Sequence, residues 1–339
     1  DAYGLIGGRL SSIKEPNEAI FYTSGRTSNE AAFLWQLLAR SIGTNNLPDC
    51  SNMCHESSGV ALTQSIGIGK GTVKLDDFEH ADLIIVVGQN PGTNHPRMLT
   101  ALRDAKKSGA SIISINPLIE KGMVNFKHPQ NPFEILGTGT NIADEHVRVK
   151  INGDQALFRG FAKVLIGERN QPSEFIQRYT SNFEDYKENV EGTEWKDIAI
   201  SSGVSKEEIV RIGRIISKAK SIICCWAMGL TQHKNSVATI QEITNLLLID
   251  GNIGRKGAGL CPVRGHSNVQ GDRTVGINHN PSDSFQKSLD DVFGIKPIEN
   301  SGYDSVESVK MMIAGNSSVF LSMGGNFLSA MSDTHATAN

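Results

Sequence analysis

Eleven consecutive residues, Cys261-Pro262-Val263-Arg264-Gly265-His266-Ser267-Asn268-Val269-Gln270-Gly271, combine a fixed cation, amides and glycines in a run without helical or strand period. Glycines let a backbone come close to a bound group, and Arg264 is able to grip a carboxylate or phosphate through two parallel hydrogen bonds. With the upstream Gly251-Asn252-Ile253-Gly254-Arg255-Lys256-Gly257-Ala258-Gly259, about twenty residues read as one glycine-rich loop after an apolar helix, a length rare in loops without a function. A plain surface loop has the same composition. A second segment, residues 49–59, sets the Cys54 thiol beside the His55 imidazole just ahead of a predicted helix start. A helix N-terminus and a nearby cation both lower a cysteine pKa, and the thiolate is the form that attacks electrophiles or binds a soft metal. Cys50 and Cys54, four apart, fit no four-cysteine zinc pattern, and an isolated cysteine is usually a small core residue.

These residues need elements to hold them, and the chain alternates strands with helices. Residues 19–23 are a short apolar run ended by Ser24-Gly25, and residues 29–41 place Phe33, Leu34, Leu37 and Leu38 on one helical face before Gly43 stops the helix. Residues 83–87 are apolar throughout, as a strand covered on both faces must be, and Pro96 opens a helix carrying Leu99 and Leu102. Residues 110–115 give the next strand. Strand, helix and strand at short spacing imply a parallel sheet with right-handed crossovers, and so a doubly wound α/β fold. Downstream, Ser205-x-x-Glu208 predicts a capping box ahead of Ile209, Ile212 and Ile216. A strand over 221–226, a helix with Val237, Ile240, Leu246 and Leu247, and a strand within 316–326 running into a glycine turn complete the pattern.

Ligands of such sheets bind beyond the carboxyl ends of the strands. The glycine and amide clusters fall there, at 88–95, 115–117, 229–233 and 324–327. None is the G-x-G-x-x-G of a nicotinamide fold, although a helix opening at Pro96 is able to hold a pyrophosphate.

With 339 residues, 39% hydrophobic content and a net charge of −3, the composition is that of a soluble globular protein long enough for two domains. There is no basic footprint for nucleic acid and no apolar run of the ~18 residues that span a membrane, and no positively charged segment with an apolar core in these residues marks a secretory signal. Five cysteines, two of them adjacent at Cys224 and Cys225 in an apolar run, make no disulfide framework and point to a reducing cytoplasm. Opening at Asp1 without a methionine and stopping soon after a strand-like run, the sequence reads as a fragment.

Taken in order, Cys54-His55, residues 86–96, residues 226–233 and Pro262-Val263-Arg264-Gly265 resemble the molybdopterin oxidoreductases. The resemblance covers essentially the whole chain, and the formate dehydrogenase alpha-subunit-like branch is the nearest. It implies two doubly wound, mainly parallel-sheet domains of the formate dehydrogenase/DMSO reductase type: a discontinuous α/β domain, residues 1–48 plus 266–339, and a Rossmann-like dinucleotide-binding domain, residues 49–265. Cys54 and Arg264 are then expected at one cleft. The implied cofactor is a bis-molybdopterin guanine dinucleotide with molybdenum or tungsten. In that resemblance Cys54 matches the metal ligand, His55 a proton acceptor, and Arg264 the arginine that orients a substrate carboxylate. Gly88, Asn90, Thr93, Asn116, Asp154, Gly229, Gln232 and Gly324 match positions that hold the dinucleotides. The implied partners are a small-molecule substrate, formate first, and an electron-transfer subunit, with neither nucleic acid nor membrane. The cysteine motif for a 4Fe-4S cluster, the lysine that carries electrons to the pterin and the C-terminal pterin-binding domain lie outside these residues, so the fragment alone is expected to be inactive. His266 stands where formate-oxidising relatives carry a glutamine, and His80, His128 and His279 read as surface histidines.

Overall fold

The computed structural model describes residues 1–169 and 171–338. They form seven strands: β1 (Ala19–Thr23), β2 (Leu83–Val87), β3 (Ser111–Ile115), β4 (Glu145–Val147), β5 (Ile222–Trp226), β6 (Gly259–Pro262) and β7 (Val319–Met323). The chain divides into two compact units, one made of residues 1–54 and 266–339, the other of residues 55–265. Among the described residues no helix is long and apolar enough to cross a membrane.

In the discontinuous unit β1 pairs in parallel with β7, Ala19 opposite Val319 and Thr23 opposite Met323. The helix Asn29–Ile42 begins where the Ser28 hydroxyl accepts the Ala31 N–H, and stops at Gly43 in the left-handed conformation. Its buried stripe differs from the expected one. Leu34 and Leu38 are 66% and 41% exposed, while Ala32, Gln36, Ala39 and Arg40 face inward. The polar pair is tolerated there because each guanidinium nitrogen finds an acceptor. Arg40 donates Nη1 to Gln36 Oε1 at 2.6 Å and to the Gly276 carbonyl at 2.9 Å, Nη2 to the Asn278 carbonyl at 2.9 Å, and Nε to Asn45 Oδ1 at 3.2 Å.

The unit of residues 55–265 holds a five-stranded sheet in the order β4-β3-β2-β5-β6, parallel at every pairing. Side chains alternate between its faces with the period of the pleat. Leu83, Ile85, Val87, Ile113, Ile115, Ile222, Cys224 and Trp226 join one core with helices Glu56–Ile66, Asp154–Glu168, Lys206–Lys218 and Ser236–Ile249. Ile84, Val86, Ile112, Ile223 and Cys225 join a second core with Leu99 and Leu102 of helix Pro96–Lys107. Helices therefore cover both faces, and the apolar run of β2 is buried along its whole length. The Ser205 hydroxyl accepts the Glu208 N–H at 3.2 Å and starts the helix Lys206–Lys218.

The glycine-rich segment is more regular than its composition predicts. It contains β6 and, further on, the helix Val269–Thr274, so Cys261 and Pro262 end a strand and Val269 to Gly271 open a helix. Gly259 serves that strand. A Cβ there would stand 2.4 Å from Thr72 Oγ1, whose hydroxyl accepts the Leu260 N–H at 2.9 Å. His80 is exposed as expected, whereas His128 and His279 are half-buried.

Candidate functional site

Because the five strands of residues 55–265 run in parallel, the segments after β2, β3, β5 and β6 leave by one edge of the sheet. Gly88 follows β2 at a φ of +55° and Gly229 lies just beyond β5; the Gly229 N–H donates to the Gly88 carbonyl at 3.1 Å. A Cβ on Gly229 would stand 2.4 Å from that carbonyl oxygen, and one on Gly88 2.6 Å from Leu230 Cδ1. Gly229 is thus required by the Gly88 backbone, and Gly88 by its positive φ and its close neighbours Leu230 and Gly229. Asn90 caps the short helix Pro91–Asn94, its Oδ1 accepting the Thr93 N–H at 3.2 Å while its Nδ2 donates to Glu120 Oε2 at 2.6 Å. Asn116 Nδ2 donates to the Gln89 carbonyl at 3.1 Å and ties the β3 exit to the β2 exit. Next to these bonds, Gln89 Oε1 and His95 Nε2 are buried without a partner among the described residues. Thr93 and Gln232 are exposed, Gln232 Nε2 reaching Thr231 Oγ1 at 3.1 Å.

Asp154 opens the helix Asp154–Glu168 and is only 5% exposed. Burial pushes its carboxyl up to about 6, against the opposing pull of its own backbone N–H and of His233. Gly324 belongs to the other unit. It follows β7 at a φ of +80°, where a Cβ would meet Thr27 Oγ1 at 2.8 Å.

Cys54 ends the tight turn Cys50–Met53, which Asp49 and Asn52 cap reciprocally, and its N–H donates to the Ser51 carbonyl at 3.1 Å. It is half-buried and stands one residue ahead of His55, the N-cap of helix Glu56–Ile66. Cys50, by contrast, is a core thiol. It accepts the Gly25 N–H at 3.2 Å, and burial pushes it up to about 12. The His55 ring is 1% exposed, with Nδ1 2.9 Å from Ser58 Oγ and Nε2 3.1 Å from the Val263 carbonyl oxygen. Burial and then the Arg264 charge push its imidazole down to about 4, so the ring is neutral at physiological pH. Arg264 follows β6 and donates Nη2 to the Gly69 carbonyl at 3.3 Å. The chain passes from one unit to the other between Cys54 and His55 and returns between Gly265 and His266, so the thiol and the guanidinium flank the two crossings.

Residues 1–339 match the molybdopterin oxidoreductase family from end to end. The sequence is 51% identical over 342 residues to an uncharacterized oxidoreductase of Mycobacterium tuberculosis, covering 99% of this chain and 44% of that protein. To formate dehydrogenase H of Escherichia coli it is 35% identical over 277 residues, 80% of this chain and 36% of the relative. The chain therefore spans less than half the length of these relatives. Acetylene hydratase from Pelobacter acetylenicus shares the fold, with a TM-score of 0.69 at 18% identity over 96% of this chain and 46% of that one. Ordered motifs, a parallel sheet wound on both faces and a match along the whole sequence lead to one assignment: the chain belongs to the molybdopterin oxidoreductase family.

Proposed function

We propose that this chain is the central part of an enzyme that oxidises formate, with Cys54 as the protein's ligand to molybdenum or tungsten and Arg264 as the cation that orients the substrate carboxylate. What carries the reading is family membership joined to a half-buried thiol and an arginine at the two crossings of the chain. The donor set fits such a group. Cys54 would supply one soft thiolate, the type of donor that suits molybdenum or tungsten. Gln89 Oε1 and His95 Nε2, buried and without protein partners among the described residues, offer polar contacts to the organic part. We assign Gly88, Asn90, Thr93, Asn116, Asp154, Gly229, Gln232 and Gly324 to the guanine dinucleotide arms of a bis-molybdopterin guanine dinucleotide.

When bound, this cofactor supplies two-electron redox chemistry. The residues of the chain bind, orient and handle the proton. Formate oxidation releases carbon dioxide, one proton and two electrons; in this reading the electrons leave through a 4Fe-4S cluster and an electron-transfer subunit of the longer protein. Both ring nitrogens of His55 are engaged, so proton acceptance by His55 requires the Ser58 hydroxyl to turn away from Nδ1. Five cysteines whose spacing makes no disulfide framework support a reducing cytoplasm.

The test is metal analysis and formate kinetics on the full-length protein with an artificial electron acceptor. Cys54→Ser is expected to lose the metal and all turnover, because a neutral hydroxyl is a much poorer donor to a soft metal than a thiolate. Arg264→Lys keeps the charge and loses the planar two-point grip, a loss of about 1.5–3 kcal/mol in kcat/KM. Full activity in Cys54→Ser removes the metal assignment. A metal-loaded enzyme indifferent to formate but active on another oxyanion or an aldehyde keeps the reaction class and replaces the substrate, and a full-length protein without metal is a scaffold of the same fold.

A further inference from the structure

The two bonds of His55 belong to a closed ring. The Trp226 indole donates Nε1–H to Ser58 Oγ at 3.0 Å, Ser58 Oγ meets His55 Nδ1 at 2.9 Å, His55 Nε2 meets the Val263 carbonyl at 3.1 Å, and the Val263 N–H returns to the Trp226 carbonyl at 2.8 Å. With the imidazole neutral the direction of every bond is fixed by its ends, since an indole N–H only donates and a carbonyl only accepts. Nε2 therefore carries the imidazole proton, Nδ1 accepts, and the Ser58 hydroxyl passes the sequence of donors on. His55, Ser58 and Trp226 are 1%, 0% and 0% exposed, so water does not replace a lost partner, and bonds in this low-dielectric setting reinforce one another.

Val263 is held at both its N–H and its C=O, and that carbonyl shares a rigid peptide plane with the Arg264 N–H. We infer that Ser58 and Trp226 are positioning residues: by fixing His55 as the Nε2–H tautomer they lock the Val263–Arg264 peptide plane and with it the direction in which the chain presents Arg264 to substrate. The inference rests on the reading of Arg264 as the substrate-orienting cation. A guanidinium that must meet a carboxylate in plane through two bonds has little angular tolerance, and a backbone braced by a buried ring supplies it.

Three full-length proteins test this, Ser58→Ala, Trp226→Phe and Arg264→Lys, each compared with the unaltered enzyme. The first two remove one member of the ring while keeping most of the packing. Histidine 15N spectra should show His55 as the Nε2–H tautomer in the unaltered protein and a mixture in Ser58→Ala, and hydrogen exchange at the Val263 and Arg264 amides should quicken by about tenfold or more in both ring variants. With formate, KM should rise about tenfold in both while kcat falls by less than about threefold, the split expected when orientation of the bound carboxylate rather than the chemical step is lost. An unchanged tautomer and unchanged amide exchange in both ring variants overturn the inference. So does an unchanged KM in both when Arg264→Lys raises it. If Arg264→Lys itself leaves KM unaltered, the substrate role of Arg264 fails, and the peptide lock is then decided by amide exchange alone, with no acceleration in either variant overturning it.

Discussion

Asp154 holds a buried carboxyl pushed up to about 6 by desolvation, and this has a consequence for stability. Between its ordinary value of 3.8 and about 6 the folded chain binds more protons than the unfolded one, so its contribution to stability falls as pH rises through that window. At neutral pH the ionised carboxylate costs on the order of 3 kcal/mol relative to the neutral form, which Asp154→Asn avoids. Asp154→Asn is expected to raise the urea midpoint at pH 7.5, with the gap to the unaltered protein closing as the pH is brought to 4; a gap independent of pH means the carboxyl titrates normally. The candidate residues differ in how visible they are. Cys54-His55 and Arg264 stand out in sequence because a thiol beside an imidazole and an arginine among glycines are uncommon in that order. Ser58 and Trp226 do not. Ser58, three places after His55, resembles any serine of a helical first turn, and Trp226 ends an apolar strand where a large core side chain is ordinary. Their i, i+3 spacing hints at the His55–Ser58 pair, but only the fold brings Trp226 to it. Gly88 and Gly229 also meet a packing demand of the fold, and in sequence a glycine required by packing is written the same way as one required by a ligand.

At the scale of elements, strands β2, β3 and β5 are legible because a strand covered on both faces leaves a run of apolar residues and nothing else. The inward face of helix Asn29–Ile42 is not. Its leucines suggest one face, and the chain buries another, on which Arg40 is held by Gln36, by Asn45 and by carbonyls of Gly276 and Asn278. The last two carbonyls lie 236 and 238 positions downstream of Arg40, beyond the reach of any local pattern. Gln36→Leu is therefore expected to destabilise the protein by about 1–3 kcal/mol, because Arg40 Nη1 loses one of its two acceptors inside the core. Leu34→Gln should change stability by less than about 0.5 kcal/mol. Chemical denaturation monitored by circular dichroism separates the two, and the reverse ranking would return the leucines to the buried face. The glycine-rich segment is misread for a related reason: β6 is short, its outer edge is covered by Thr72, and its glycine is demanded by that neighbour rather than by a turn.

For the whole molecule, the division of the chain follows where apolar surface is buried. One pair of hydrophobic clusters is built from residues between Ala61 and Val263, and the other from residues of the flanking segments, such as Phe21 with Ile277 and Tyr22 with Phe327. Residues 55–265 therefore contain a complete sheet, both of its covering layers and two cores. The flanking segments are in a different position, because β1 finds its ladder partner in β7, close to 300 residues away. Sequence alone makes the alternation of strands and helices visible, but it does not show which distant strands pair, since a parallel strand carries no mark of its partner. Residues 55–265 produced alone are expected to fold, giving a near-ultraviolet circular dichroism band from the buried Trp226 and a single cooperative urea transition. Residues 1–54 produced alone should show neither, because β1 without β7 exposes an unpaired strand and half a core. A broad, non-cooperative transition for 55–265, with no near-ultraviolet band, would mean that its two cores are not self-sufficient and that the flanking segments supply stability the division of the chain does not reveal.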